Sequence, residues 1–358
     1  MCLKKIILSL KKTYIFFFVT VLFLNFATLN AKSSIFKVEE IVISEPFELN
    51  FKKEIVIDKA FTAAFNQLTR MTVESNQLKK LKNTKISEIK NLIDSFNIKD
   101  EKFIKNSYVA NFEVNFNKQN TLLFYEKKNI FPSIPIKKNI LIFPILIDTE
   151  SKTINLFNQN PFFNEWTQNI HNYHLLNYIL PAEDIDVLSA LNKNIENLED
   201  YNFMNIVKKY DSDEYIISLI YKEKRNFKVF SKIKINDDVK IYSQAYEDID
   251  ILNLDNLNDL INKIKNIYED NWKLSNQINR SVKLPINVSI SSVDYAKNRE
   301  FDNFLKTTEL VYKFFIKDFN NKKLNYRIIF NGSPKQFLDI AKKKNINVDT
   351  SKQIWEIN

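Results

Sequence analysis

Glycine occurs once in the 358 residues, at position 332. That scarcity excludes several function classes at a stroke. Phosphate-cradling loops and dinucleotide turns need several glycines, because the backbone must approach the phosphate closely or take positive φ. A nucleophile elbow needs two around its serine, and an EF-hand loop needs one at its sixth position. Turns must therefore be made by other residues. Asparagine tolerates the left-handed region better than most side chains and is expected to serve at Asn320-Asn321. Cysteine is as scarce: the single one is Cys2, so neither an internal disulfide nor a cysteine metal site can form. Histidine is limited to His171 and His174, which confines any His-dependent chemistry to one short stretch.

Charge of one sign is not dominant either. There are 52 Lys+Arg against 43 Asp+Glu, a formal net charge of +9. The charges are interspersed, and the densest basic run, Lys342-Lys343-Lys344, falls where a helix should end, a place that favours cations. No extended basic stripe points to nucleic acid. The richness in Lys, Asn, Ile and Phe has the look of an AT-biased genome.

What the chain does have is a distinctive beginning. Lys4, Lys5, Lys11 and Lys12 precede an apolar run from Tyr14 to Leu24, followed by Asn25-Phe26-Ala27-Thr28-Leu29-Asn30-Ala31. A basic head, a short apolar stretch and a small terminal residue make an export signal. Cleavage after Ala31 is the expected outcome, and an uncleaved membrane anchor is the alternative, since residues 13–29 reach the lower limit of about 17 residues for a spanning helix. Cleavage would remove four lysines and the lone cysteine, leaving a thiol-free chain of net charge +5 in the periplasm.

Hydrophobic spacing then predicts three modules, an α/β and α+β multi-domain organisation. Residues 32–131 form an N-terminal α/β domain, with extended segments at 35–43, an amphipathic helix over 53–74, a short helix over 86–96 and a strand over 108–116; the run 121–125 reads as a further strand. Pro132 and Pro135 mark a linker. Residues 139–280 form a central α/β domain. Its continuous apolar run, Asn139 to Ile147, suits a strand buried on both faces. Helices are expected over 164–176, 184–191, 202–210 and 254–277, and strands over 215–221, 227–235 and 239–246. Residues 282–358 read βαββαβ, the ferredoxin-like order.

The helix Ala60-Phe61-Thr62-Ala63-Ala64-Phe65-Asn66-Gln67-Leu68-Thr69-Arg70-Met71-Thr72 resembles the opening of a family of bacterial exported proteins, the domain of unknown function 2066. The Pro-containing apolar strand Ile142-Phe143-Pro144, the pair Trp272-Lys273 and the terminal strand around Trp355 are also similar to that family. Val73 departs from it, standing where a turn glycine is expected. The resemblance implies an exported protein of modular α/β architecture and carries no activity. The middle segment also looks like α/β modules of envelope lipoproteins and translocation accessory proteins.

Glu165, His171 and His174 are the candidate metal ligands. On a helix, residues three apart share a face, and a third ligand would complete an open zinc site; no HExxH spacing accompanies them. Asp248, Asp250, Asp255 and Asp259 lack the calcium-loop glycine and read as a strand end followed by a capped helix. Asp184 and Asp186 read as helix-start charges. Trp166, Trp272 and Trp355 are candidates for a ligand groove, although aromatic residues so abundant more often fill cores. No catalytic and no cofactor-binding residue is expected. These features together predict a non-enzymatic envelope adaptor or assembly factor that works through protein partners. Nucleic acid is not an expected partner, and membrane contact is expected only through the N-terminal segment if uncleaved. The rival readings are a periplasmic hydrolase, or a small-ligand or lipid-binding protein, with its site near His171 and His174.

Overall fold

The computed structural model describes residues 36–168, 170–235, 238–278 and 283–357; the expected export signal, with its expected cut after Ala31, lies outside them. The described chain builds three sheets, consistent with the expected α/β and α+β class.

The first sheet is antiparallel. Strand β1 (Lys37–Pro46) follows the extended segment expected there. Helix α1 (Lys53–Thr72) buries Val56, Ala60, Phe61, Ala64, Phe65, Leu68 and Met71, the stripe that its three-and-four spacing sets up. It ends at Val73, whose φ of −120° is extended backbone that any residue adopts; the glycine missing there is not needed. Helix α2 (Ile86–Lys90) is shorter than the helix expected over 86–96, because Ile93 already begins strand β2 (Ile93–Ile104). Most of β2 is exposed, so burial never stamped an alternating pattern on its sequence. Strand β3 (Ser107–Phe116) lies between β1 and β2 and turns Tyr108, Ala110, Phe112, Val114 and Phe116 inward. On its other face Glu113 sits between Lys37 and Lys99, at 3.0 and 2.5 Å, and the Lys99 hydrogen bond leads in lowering its carboxyl to about 2. The run 121–125 is not a strand. It lies in helix α3 (Lys118–Lys127), capped by the Asn117 side chain accepting the Asn120 N–H at 3.0 Å. So short a mainly apolar run cannot by itself separate a strand from a buried helix turn.

The second sheet is mixed. Its strands are β4 (Lys138–Asp148), β5 (Thr153–Asn155), β6 (Leu176–Ile179), β7 (Tyr215–Glu223), β8 (Asn226–Ile235) and β9 (Asp238–Tyr246). The order is β5-β4-β7-β8-β9, with β6 also beside β4. Strand β4 runs parallel to both β6 and β7, and the remaining pairs are antiparallel. Its apolar run is buried on both faces: Ile140 and Ile142 enter one core, Leu141, Phe143, Ile145 and Ile147 the other. Helix α4 (Pro161–Trp166) joins the first core; helices α5 (Ile185–Asn192) and α6 (Met204–Val207) cover the second. Helix α7 (Leu254–Ser275) packs Leu257, Leu260, Ile261, Ile264, Tyr268 and Trp272 into the first core.

The third sheet follows β10 (Leu284–Ser291), helix α8 (Tyr295–Thr307), β11 (Val311–Phe319), β12 (Lys323–Phe330), helix α9 (Pro334–Lys343), β13 (Val348–Asp349) and β14 (Trp355–Ile357). The elements follow the expected βαββαβ order and β11-β12-β10 pair antiparallel as in a ferredoxin-like sheet, but β14 runs parallel to β10 where that fold has an antiparallel last strand, because the two-residue β13 turns back antiparallel onto β14 and takes the sheet edge. Gly332 is required for room rather than for φ. A Cβ there would lie 2.7 Å from both Gln336 Oε1 and the Phe330 ring, and Gln336 Oε1 is already accepting the Ser333 N–H at 2.8 Å as part of the α9 cap. Left-handed backbone is instead carried by residues such as Asn106, Asn129, Asp211, Lys224 and Asn345. Asn320 is not among them; it makes its turn by accepting the N–H groups of Lys322 and Lys323, each at 2.8 Å. No helix of the described residues is long and apolar enough to cross a membrane.

Candidate functional site

The helix expected over residues 164–176 stops ten residues early. Asn160 caps its start by accepting the Phe162 N–H at 3.0 Å, and Pro161 occupies its first turn. It ends at Trp166, and the chain carrying His171 and His174 is a loop that leads into β6. The cause lies almost a hundred residues away. Lys265 Nζ, on α7, donates to the Trp166 carbonyl at 2.7 Å and closes the helix end. The same ammonium stands 5.8 Å from the Trp166 ring centroid and 5.4 Å from that of Tyr178, where the ring faces attract a cation.

One turn further along α7, Glu269 ends the loop. Its Oε2 accepts the Leu175 N–H at 2.9 Å and its Oε1 the Leu176 N–H at 3.1 Å. A third turn brings Lys273, whose Nζ donates to the Val73 carbonyl at 3.1 Å and to Asp270 at 3.3 Å. Asp270 in turn accepts the Ser75 N–H at 3.0 Å. Spacing of four places Lys265, Glu269 and Lys273 on one face of the helix, and all three are buried. Burial lowers the Lys265 amine to about 8, with Glu269 opposing. Burial raises the Glu269 carboxyl to about 6, with the two backbone N–H groups opposing.

The loop held at both ends presents an aromatic cluster. Arg70, from α1, lies 4.8 Å from the Tyr173 ring centroid. His171 stacks on Tyr173 at 4.9 Å, and His174 meets His171 edge-on at 5.2 Å. His174 Nδ1 accepts the His171 backbone N–H at 3.3 Å. That bond assigns the proton of the neutral ring to Nε2. Burial is the main cause that takes the His174 imidazole down to about 3, with Lys265, His171, Lys273 and Arg70 adding to it. His171 is lowered too, again chiefly by burial. A cavity of about 720 Å³ opens beside the loop and is lined by Lys137, Lys138, Asn172, His174 and Asn177 among others.

The expected metal set does not assemble. The two histidines touch, but in a loop rather than on a helix face. Among the described residues no three His, Cys, Asp or Glu side chains come together so as to hold a metal ion, so Glu165, on α4, does not complete a site with His171 and His174. The aspartates from 248 to 259 have local duties: Asp250 accepts the Leu252 N–H at 3.1 Å, and Asn253 caps α7. Asp184 caps α5 through the Asp186 and Val187 N–H groups. Trp166 and Trp272 are core residues, Trp272 donating to the Ile136 carbonyl at 2.7 Å; Trp355 is half-buried against Phe337. Lys265, Glu269, Lys273, Arg70 and Tyr178 were not expected at the site. One signal was present: Ile261, Lys265, Glu269 and Lys273 continue a single i, i+4 row, placing charges next to the apolar stripe. A second cavity, about 620 Å³, lies across the central sheet's far strands, with Glu196, Glu199, Asp200, Glu223 and Glu247 in its wall. Neither a family model nor a curated protein matches this chain.

Proposed function

We propose that this chain is a non-enzymatic adaptor or assembly factor of the cell envelope that docks an extended segment of a protein partner onto the free edge of β9. One observation carries the reading. An unpaired strand edge is a template for another strand, and folded proteins normally blunt such edges with bulges, prolines or shortness. Strand β1 has a register shift and Pro46, and β2 and β11 have two shifts each. Strands β5, β6 and β13 run only three, four and two residues. Strand β9 is nine residues long, keeps an unbroken register with β8, and exposes Val239 (52 %) and Ile241 (59 %). Main-chain hydrogen bonds would supply affinity there and side-chain pockets specificity. A small cavity of about 260 Å³ next to the edge, walled by Tyr242, Gln244, Asn271 and Leu274, suits one inward side chain of the added strand.

The third sheet also has a long edge strand, β11, but its two register shifts make β9 the stronger candidate. Export rests on residues 1–31, and kinship with the domain of unknown function 2066 on α1, Ile142-Phe143-Pro144, Trp272 and Trp355. Photo-crosslinking tests the docking. A crosslinker at Ser243 in cells should give one or more discrete protein adducts, and Val239→Lys/Ile241→Lys should abolish them. The same crosslinker at Lys317 on β11 should give none. Adducts from β11 with none from β9 would overturn the assignment.

A further inference from the structure

We propose that the cavity beside His174 binds a small oxyanion, a carboxylate or a phosphate group carried on a compact ligand. The inference is independent of strand docking at β9. Four observations carry it. The wall includes two lysines and several amides, and no carboxylate lines it. Two of the polar groups are already engaged: Lys138 pairs with Glu214 at 2.7 Å, and Asn177 donates to Asn139 at 2.9 Å. Lys137 is exposed at the rim and has no carboxylate partner among the described residues. His174 lines the cavity and is 8 % exposed, and its Nδ1 is occupied by the His171 N–H, which leaves Nε2–H as a donor with no partner among the described residues.

The Nε2–H opens onto the cavity, where an acceptor can reach it without displacing a protein partner. Here the donor is held rigidly. Glu269 fixes Leu175 and Leu176 immediately after His174, and Lys265 fixes the chain before it at Trp166. Such anchoring presets the imidazole for a ligand rather than leaving it to adjust. Since burial keeps the ring neutral, it offers a hydrogen bond and not a charge; Lys137 supplies the charge at the opening. A cation would find no anionic ligand in this wall, and a metal would lack a donor set.

The test uses the full chain with 15N-labelled histidine. Inorganic phosphate and acetate are titrated separately at constant ionic strength while the imidazole nitrogens are followed by NMR. A saturable shift of the His174 Nε2 resonance is expected with at least one anion, and the tighter of the two identifies the group recognised. Methylammonium should produce none. Lys137→Gln, an exposed change that leaves the fold intact, should weaken the shift's apparent affinity about tenfold, the loss for one charge-assisted hydrogen bond. His174→Phe should abolish binding of the anion measured by equilibrium dialysis. No saturable shift with either anion, or an affinity untouched by Lys137→Gln, overturns the proposal.

Discussion

The two faces of the central sheet are built on different terms. On the α5–α6 side, Leu141, Phe143, Ile145, Ile147, Ile217 and Leu219 meet Val187, Leu191, Ile206 and Val207, an interior of hydrocarbon. On the α7 side the same strands contribute Ile140, Ile142, Ile216 and Ile220, yet the helix opposite carries Lys265, Glu269 and a buried Tyr268. Adjacent residues of one strand thus enter two unlike environments. The apolar side depends on area and shape, at about 25 cal/mol per Å² removed from water. The α7 side spends part of its burial on charges whose desolvation can outweigh their attraction. What those charges hold is one object, the stretch carrying His171 and His174, pinned at Trp166 and at Leu175–Leu176. The costly face is therefore the one that positions the candidate site.

The largest test of that contrast is a pair of truncations. Glu269→Ala would strand two backbone N–H groups and leave Lys265 without its counter-charge, and should cost about 3–5 kcal/mol. Leu191→Ala, on the apolar side, should cost about 2–5 kcal/mol through lost contact and cavity. Size alone will not separate them; their behaviour will. The Leu191 loss should be the same at pH 5 and pH 8 in urea titrations, and should leave the His174 imidazole resonances in place. The Glu269 loss should vary with pH and displace those resonances. Equal pH dependence in both variants would erase the distinction between the faces.

Acid titration of the unaltered chain comes next in size. His174 has a folded value of about 3 against 6.5 in the open chain. Its stabilisation is present above pH 6.5 and is lost as pH falls toward 3, because the unfolded state takes the proton first. Glu269 acts in the other direction. Its folded value of about 6 exceeds 4.5, so it favours the fold below pH 4.5 and ceases to do so as pH rises through 6. At 1.36 kcal/mol per unit, the histidine loss exceeds the carboxyl gain, so these two groups together lose about 3 kcal/mol between pH 6.5 and 3, and the lowered carboxylates of Glu113 and Asp148 add to that fall. Urea midpoints across that range measure it, and His174→Gln should remove most of the fall. A His174→Gln profile that matches the parent would mean that this ring does not govern acid stability.

Much of the fold was legible because burial writes periodicity into sequence. The stripe of α1, the doubly buried β4 and the βαββαβ order of the third sheet all follow from spacing alone. The failures have a common cause. Strand β2 is largely exposed, so it has no alternation to read. The segment 164–176 has helix-compatible residues, but a lysine 99 positions away from Trp166 caps it early. Local sequence cannot report a partner so distant. The candidate site was half legible: the two histidines marked the place and one sets the other's tautomer, whereas the cations that add to burial in lowering His174 sit on α7 and α1. Charges inside the i, i+4 row of α7 were visible but are usually solvated, and only the packed structure shows Lys265 at 0 % exposure.

The smallest predicted effect asks whether the polar groups on the α7 face matter beyond their shape. Tyr268 donates to Ser218 Oγ at 2.9 Å and lies 2.8 Å from Ser231 Oγ, all three buried in the sheet-facing core. Burial pushes the Tyr268 hydroxyl upward in pKa, against the hydrogen bonds to Ser218 and Ser231, so it stays protonated as a donor. Tyr268→Phe keeps the ring and removes the oxygen that joins the two serines, which should cost about 1–2 kcal/mol. Converting Ser218 and Ser231 to Ala in the same background should recover most of that loss, because a hydrogen-bonded set replaced entirely by apolar groups of similar shape is nearly neutral. Urea unfolding of the single and triple variants decides it. If the triple variant is as weak as Tyr268→Phe, the hydroxyls stabilise this face directly; if it recovers, the trio is a satisfied polar insertion, and the specific cost of the face lies with Lys265 and Glu269.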